Sequence, residues 1–273
     1  MIEKIIPLIC LFIFCEGTAT ETNKYREARI ARKKERAVRH HERKKAIKEK
    51  KIHKEFEEFE TEYETYEDMI QAHEQLIHDL YKEVNAFKIT QQEHDMIVAC
   101  GGAPTYGEIT YKGLQNILDR LDLGPDDVFY DLGCGVGKTV IQVYLNTPVK
   151  KAEGVELANG RCVHALKVYK KLHRLGYIKP GRRMVFKLKD MLNVNMSDAT
   201  VVYTCSTCFD RKLMVRIGEK LSHCKPGLIF LTLKPLPNPE EYGFKLITEY
   251  SEPMSWAPSG ASVYHYELKI SQQ

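Results

Sequence analysis

The sequence predicts an α/β fold built on a mostly parallel sheet. Short β-prone runs alternate with helical patterns from residue 128 to residue 233, an order that places parallel strands between helices. A glycine-rich turn at 133–137 joins the first of these strands to a helix, and single acids follow the next two strands. Two final β-prone runs, 244–250 and 262–268, have no helix between them and predict an antiparallel edge.

The composition is that of an ordinary globular protein with an appendage. The chain has 273 residues, 43% of them hydrophobic and 29% charged, which is enough for one complete α/β domain. Of the eight cysteines, Cys10 and Cys15 fall in the apolar N-terminal run, and the other six show no disulfide-framework spacing. Cys205 and Cys208 form a close pair; a zinc site would need further ligands at metal spacing, and a redox pair stays open.

Residues 1–19 have the pattern of a secretory signal. Lys4 precedes an apolar run over 5–14, and small residues follow at Gly17 and Ala19. A wrongly assigned start codon or a buried N-terminal element would explain the same pattern. The run is too short to span a bilayer and no other segment is suitable, so we expect no stable membrane insertion.

Residues 20–54 form a basic arm. Fifteen Lys and Arg lie between Lys24 and Lys54 with four acids among them, and no glycine or proline interrupts the run. We expect a partly helical arm that is either simply solvated or attracted to polyanions. In the second case the segment 24–54 would contact DNA without sequence specificity and in a salt-dependent way.

Residues 55–100 predict an amphipathic helix with one apolar heptad stripe. Its aromatic content favours packing on the chain's own domain, and coiled-coil self-association is the alternative. The run from Gly101 to Pro104 breaks the pattern, so we expect the α/β domain to occupy 101–273. The stripe comprises Phe56, Phe59, Tyr63, Tyr66, Ile70, His73, Ile77, Leu80, Val84 and Phe87.

The glycine-rich turn suits one of three ligand classes best. A phosphate-binding loop ending in Gly137-Lys138-Thr139 would need glycine where Leu132 stands, and is rejected. A dinucleotide turn places its third glycine one residue later. The remaining pattern, Asp-Leu-Gly-x-Gly-x-Gly, suits S-adenosylmethionine (SAM), and a turn that binds nothing is the alternative.

Two acids at predicted strand ends support this interpretation. Glu156 ends the second strand, where a carboxylate can accept hydrogen bonds from both ribose hydroxyls. Asp190 follows the third strand, where it can accept from the adenine amino group beside the apolar Met191. The carboxyl ends of neighbouring strands are the edge at which α/β sheets bind ligands.

Five motifs follow one another in a fixed order: Tyr106-Gly107-Glu108, Asp131-Leu132-Gly133-x-Gly135-Val136-Gly137, Gly154-Val155-Glu156, Lys189-Asp190-Met191-Leu192 and Ser255-Trp256 with Ser262-Val263-Tyr264. In this respect residues 95–270 resemble the Dot-one (disruptor of telomeric silencing) family of non-SET histone lysine methyltransferases. The resemblance implies a Rossmann-like, seven-stranded class I methyltransferase fold, here preceded by the helical arm. It also implies SAM as cofactor, histone H3 in nucleosomes as substrate, and a nuclear location on chromatin.

The resemblance implies roles for individual residues. Trp256 and Tyr264 resemble the aromatics that close the lysine channel, Phe209 is a third candidate wall, and Ser206 or Thr207 would offer oxygen contacts. An apolar channel would lower the pKa of the substrate lysine and so deliver the neutral amine that methyl transfer needs. The implied cofactor-binding residues are Tyr106, Gly107, Glu108, Ile109, Asp131, Gly133, Gly135, Gly137, Glu156, Asp190 and Met191.

Departures from the family pattern leave other functions open. Cys205 stands where the family has Asn, and Met191 where Phe is usual. A non-catalytic interaction protein on a degenerate methyltransferase fold is one alternative, and a methyltransferase of a non-histone substrate is another. If residues 1–19 act as a signal, we expect a secreted factor that reaches histones in a host cell.

Overall fold

The structure is a computed structural model that describes residues 65–269. The predicted signal (1–19), the basic arm (20–54) and the first part of the predicted heptad helix (55–64) lie outside the described residues.

One seven-stranded sheet forms the centre of the described chain. Its strands are β1 Val128–Leu132, β2 Lys151–Glu156, β3 Arg183–Leu188, β4 Val201–Thr204, β5 Ile229–Thr232, β6 Phe244–Met254 and β7 Ala257–Leu268. Their order is β3-β2-β1-β4-β5-β7-β6. The first five strands run parallel, and β7 lies antiparallel between β5 and β6. The predicted α/β fold and seven-stranded sheet are therefore confirmed.

Six α-helices accompany the sheet within residues 65–269. They are α1 Tyr66–Tyr81, α2 Gln91–Ala99, α3 Tyr111–Leu118, α4 Lys138–Asn146, α5 Asn159–Arg174 and α6 Arg211–Ser222. Buried side chains of α1, α3, α4 and α5 belong to one hydrophobic cluster, and those of α6 to a second. No helix in this part of the chain has the length and hydropathy to cross a membrane.

The position of β1 determines where a site can form. All five of its residues are buried at the middle of the sheet, as expected for a strand covered on both faces. Its parallel pairing with β2 and β4 brings the carboxyl ends of these strands to one edge of the sheet. At the other end of the sheet, the β6–β7 hairpin is longer than predicted because its pairing continues past two irregularities to Met254 and Ala257.

The prediction of one helix across the heptad stripe is wrong. α1 ends at Tyr81, where the amide of Val84 donates to the Tyr81 carbonyl at 2.9 Å and closes a turn. Phe87, a predicted stripe residue, is 74% exposed in the connecting loop. α2 then starts afresh, with Thr90 and Glu93 forming a capping box. Local hydrogen bonding thus outweighs an apolar spacing that continues through the loop.

The favoured packing of the stripe on the chain's own domain is confirmed for α1. Its buried residues include Ile77 and Leu80, which belong to the main hydrophobic cluster. The Tyr81 hydroxyl donates to the carbonyl of Val136 in the glycine-rich turn at 2.7 Å. The His73 ring nitrogen Nδ1 lies 2.8 Å from the Asn146 side-chain oxygen, and both residues are buried.

We expect Ile77→Ala to lower the free energy of unfolding by about 2–4 kcal/mol, because it leaves a cavity between α1 and the domain. The exposed Gln71→Ala on the same helix should change it by less than about 0.5 kcal/mol. Chemical denaturation at two protein concentrations about 50-fold apart measures both effects. A loss that depends on concentration would place Ile77 in a contact between chains instead.

Candidate active site

The turn between β1 and α4 is held open by glycines and fixed to β2. The amides of Gly133 and Cys134 donate to the Val155 carbonyl at 2.8 and 3.0 Å. Gly135 has φ +55°, and a Cβ atom at this position would lie 2.6 Å from the ring of Tyr106. The turn therefore needs glycine here both for its backbone conformation and for the close approach of Tyr106.

Glu156 connects this turn to the loop after β2. Its Oε2 accepts from the Gly135 amide at 2.8 Å, and its Oε1 accepts from the amides of Leu157 and Ala158 at 2.9 and 2.7 Å. Although the side chain is buried, these amides satisfy three of the roughly four lone-pair positions of a carboxylate. One position on Oε2 remains for a ligand.

Asp131 supplies a second buried carboxyl group at the same edge of the sheet. Burial raises its pKa to about 8, with a further contribution from the charge of Glu156 and an opposing hydrogen bond from Thr139. Two neighbouring buried acids disfavour a second negative charge. A ligand that brings a positive charge to Asp131 would relieve this cost.

The Tyr106–Ile109 loop covers the turn from the other side. The Tyr106 hydroxyl donates to Glu108, and the Lys138 ammonium at the start of α4 forms an ion pair with Glu108 at 2.7 Å. Ile109 forms an isolated antiparallel bridge with Met254 at the end of β6. The loop is therefore fixed at one end to the start of α4, beside the glycine-rich turn, and at the other end to the sheet.

A cleft of two adjoining parts lies between these loops. The larger part encloses about 750 Å³, counted out to its open mouth, and is bordered by Glu156, Asp190 and Met191. The smaller part encloses about 320 Å³ and is bordered by Glu108, Asp131 and Lys138. Residues shared by both parts are Tyr106, Gly107, Gly133, Gly135 and Cys205.

Asp190 and Met191, which are predicted to bind adenine, lie together with Phe209 at the larger part of the cleft. Asp190 caps a short 3₁₀ turn over Met191–Asn193, accepting from the Leu192 amide at 2.9 Å. Met191 and Phe209 both approach Gly133, since a Cβ atom there would lie 3.8 Å from Met191 and 3.6 Å from Phe209. The structure thus brings a carboxylate and two apolar side chains together beside Glu156.

Ser206, predicted to offer an oxygen contact, does not border either part of the cleft within residues 65–269. Ser206 is fully buried, its Oγ lies 2.6 Å from the Thr232 hydroxyl, and it accepts from the Lys234 amide at 2.9 Å. These bonds fix the loop after β4 to the end of β5, which leaves the hydroxyl no access to a ligand. Thr207 is exposed to solvent and, within residues 65–269, does not border either part of the cleft.

Trp256 and Tyr264 lie at different places around the cleft. The indole of Trp256, 44% exposed, covers Gly107 so closely that a Cβ atom there would lie 2.5 Å from its ring. Tyr264 on β7 pairs with Thr232 of β5 and stacks on Tyr266 with ring centroids 6.5 Å apart. Within the described chain, neither side chain borders the cleft itself.

Cys205 takes part in the site as a neutral thiol. Its Sγ donates to the Gly107 carbonyl at 3.6 Å, and burial, with the charge of Asp131, raises the pKa of the thiol to about 12. A raised pKa disfavours the thiolate that redox exchange requires. Cys205 and Cys208 are both free, and residues 65–269 contain no group of three or more metal-ligating side chains.

Arg161, at the start of α5, is a site residue that the sequence did not reveal. Its guanidinium donates to the carbonyls of Ala86 and Pro104 at 3.1 and 2.8 Å and lies 4.9 Å from the centre of the Tyr106 ring. No local motif marks it, because its partners come from distant loops. Lys138 has a local signal in Gly137-Lys138-Thr139, but this tripeptide by itself indicates only the end of a phosphate-binding loop.

The fold and the cleft together define a class of protein. Five parallel strands, an antiparallel β7 inserted beside β5, and a glycine turn between two acids at strand ends are the arrangement of class I SAM-dependent methyltransferases.

Similar proteins identify the family within that class. The family model described as "Histone methylation protein DOT1" matches residues 99–251, so the chain belongs to the DOT1 family. It is 33% identical over 150 residues to a Caenorhabditis elegans protein named "Histone-lysine N-methyltransferase, H3 lysine-79 specific", covering 52% of this chain and 16% of that one. It is 32% identical over 147 residues to a "Protein-lysine N-methyltransferase" of Saccharolobus islandicus, covering 54% and 76%.

The shared region is a small part of the long eukaryotic relatives. The chain spans 16% of the Caenorhabditis elegans protein and 24% of an Eremothecium gossypii protein of the same name, to which it is 28% identical. The family membership of this chain is thus established, whereas its activity, substrate and partners are matters for proposal.

We expect Gly135→Ala to abolish or weaken binding of S-adenosylhomocysteine by at least about tenfold, because the added methyl group displaces Tyr106 from the turn. Gly176→Ala is the matched control: its φ is also positive, at +83°, but no atom lies within 4 Å of the added methyl group. Both variants should lose about 1 kcal/mol of stability for the backbone conformation. Calorimetry that finds equal affinity in the two variants would contradict this reading of the turn.

Proposed function

We propose that the protein is a SAM-dependent protein-lysine N-methyltransferase that acts on histone H3 in nucleosomes. The observation that carries the proposal is the buried acid pair Asp131 and Glu156 on either side of the glycine turn, in a cleft at the carboxyl ends of β1 and β2. Membership in the DOT1 family supports the choice of a protein lysine as the acceptor.

The smaller part of the cleft suits the methionine end of SAM. Asp131 faces it with a carboxyl group that a positive charge would stabilise in the ionised form, and Lys138 adds a cation for a carboxylate. Tyr106, Gly107, Glu108 and Ile109 would enclose this end. When bound, SAM supplies a methyl group on a positively charged sulfur.

The larger part suits the nucleoside end. Glu156 has one free lone-pair position for a ribose hydroxyl, and a second hydroxyl would have to replace the amide of Leu157 or Ala158 on Oε1. Asp190 can accept from the adenine amino group, with Met191 and Phe209 as apolar neighbours of the ring.

The substrate lysine would approach where the two parts meet. Trp256 packs on Gly107 and Phe209 approaches Gly133, and both glycines border both parts of the cleft. An apolar wall there would lower the pKa of the lysine and favour its neutral, nucleophilic form. Tyr264 is retained as a third candidate wall, because its strand pairs with β5 beside the loop that carries Phe209.

The proposed histone substrate also implies a cellular location and a contact with DNA. A histone acceptor places the protein in the nucleus on chromatin, where the basic arm 24–54 would contact DNA. Coiled-coil self-association through the heptad stripe of residues 55–100 and secretion directed by residues 1–19 are separate hypotheses, and residues 1–64 lie outside the described residues.

A non-histone protein lysine is the second candidate acceptor. The Saccharolobus islandicus relative, of which this chain covers 76%, carries the name "Protein-lysine N-methyltransferase" without a histone. Competition between nucleosomes and other lysine-rich proteins for methyl transfer would distinguish the two acceptors.

Binding of SAM should release about one proton near pH 6.5. Asp131 is mostly protonated there in the free protein, because its pKa is raised to about 8, and it must ionise to pair with the cationic ligand. Affinity should therefore rise as pH increases from 6 to 8. Calorimetry in buffers of different ionisation enthalpy measures the proton count, which should fall towards zero in Asp131→Asn. An equal release in both proteins would assign the proton elsewhere.

Incubation with radiolabelled SAM should label histone H3 in recombinant nucleosomes. We expect Asp131→Ala to reduce the rate at least about tenfold, because a charge-assisted contact contributes roughly 1.5–3 kcal/mol. Asp126→Ala, an exposed acid five residues earlier, is the control and should keep the wild-type rate. Tight SAM binding without labelling of any protein acceptor would favour the non-catalytic alternative.

A further inference from the structure

The chain between the second and third acids of the cleft has an unusual charge distribution. Residues 157–189 contain ten Lys and Arg and no Asp or Glu. Three of the ten have structural partners: Arg161 binds carbonyls at the cleft, Arg182 binds those of Tyr144, Thr147 and Val149, and Lys187 pairs with Glu153 at 2.6 Å. Four of the remaining seven lie on α5.

Four of them form one stripe along α5. Lys167, Lys170, Lys171 and Arg174 occupy positions i, i+3, i+4 and i+7, so they share a helix face, and all four are exposed. Like charges at these spacings repel one another. None of the four has an ion-pair partner within residues 65–269; Arg174 Nε donates to the Lys170 carbonyl at 3.4 Å.

The positive charges of α6, by contrast, have acids on the same helix and on a neighbouring turn. It carries Arg211, Lys212, Arg216 and Lys220, but Glu219 lies on the same helix. The 3₁₀ turn Pro239–Tyr242, which packs against α6, adds Glu240 and Glu241. α5 itself contains no Asp or Glu, so no acid on the same helix offsets the repulsion within the stripe.

We propose that the α5 stripe binds the phosphate backbone of duplex DNA. It covers about 10 Å of helix axis, and duplex DNA carries one phosphate per roughly 1.7 Å of its axis. Single-stranded nucleic acid would favour exposed aromatic rings for stacking, whereas Tyr169 and Tyr177 near the stripe are only partly exposed. A lipid surface would favour a continuous apolar face along the helix. Val163, one turn before Lys167, and Leu166 and Leu175 beside the stripe are 37%, 38% and 53% exposed, and the four cations separate Val163 from Leu175.

The stripe also has a suitable position relative to the cleft. α5 follows directly after Glu156 and Leu157, and Lys167 lies about 9 Å along the helix from Arg161 at the cleft. DNA on the stripe would therefore run beside the cleft mouth. The proposal does not rest on methyl transfer, because DNA binding is measured without cofactor or acceptor.

The test compares two full-length variants that lose the same charge. One is Lys167→Gln, Lys170→Gln, Lys171→Gln and Arg174→Gln on α5; the control is Arg211→Gln, Lys212→Gln, Arg216→Gln and Lys220→Gln on α6. Fluorescence anisotropy with a labelled 30-base-pair duplex of mixed sequence, at several salt concentrations, gives affinity and salt slope. Circular dichroism and thermal melting confirm folding, and pairwise double variants replace any quadruple variant that does not fold.

We expect the α5 variant to bind DNA at least about tenfold more weakly and to reduce the salt slope by roughly 2–4, since each phosphate contact contributes about 0.9. The α6 variant should bind within about threefold of the wild type. Equal losses in both variants, or no loss in the α5 variant, would overturn the proposal. Loss of binding to phosphatidylserine vesicles with unchanged DNA binding would overturn it in favour of a membrane surface.

Discussion

The cleft depends on one carboxylate held by backbone amides. Glu156 accepts from Gly135 in the turn after β1 and from Leu157 and Ala158 in the loop after β2. Without it, two loops that follow neighbouring strands would have three unsatisfied amides and would lose one of the contacts that fix their spacing. Burial and, after it, the negative charge of Glu156 raise the pKa of Asp131, so the carboxylate that shapes the cleft also adds to its preference for a cationic ligand.

The segments before the sheet complete the site. Arg161 joins the loop between α1 and α2 to the chain at Pro104 and lies against Tyr106. Glu93 of α2 accepts from the Gly160 amide at 2.7 Å, which fixes α2 at the start of α5. Ile97 and Cys100 from this region border the larger part of the cleft. The sequence between residues 66 and 104 is thus part of the site and is packed on the same domain.

The sheet and the turn were predictable because their signals are local. Alternating β-prone and helical runs, glycine at fixed spacing, and acids at strand ends appear within short stretches of sequence, and parallel pairing then brings them together. The helix break after Tyr81 could not be predicted from the sequence. It depends on a turn and a capping box, and both compete with an apolar pattern that continues through them. The buried position of Ser206 could not be predicted for a related reason. The direction of its hydroxyl is set by Thr232 and Lys234, which are distant in sequence.

We expect Glu156 to recognise the ribose of the cofactor. The most direct measurement is the affinity of the unmodified protein for S-adenosylhomocysteine and for its 2′,3′-dideoxy form, by calorimetry under the same conditions. If the remaining lone pair on Glu156 accepts from a ribose hydroxyl, the dideoxy ligand should bind roughly 10–100-fold more weakly, as expected for the loss of a hydrogen bond to a charged group. Equal affinity for the two ligands would contradict the claim.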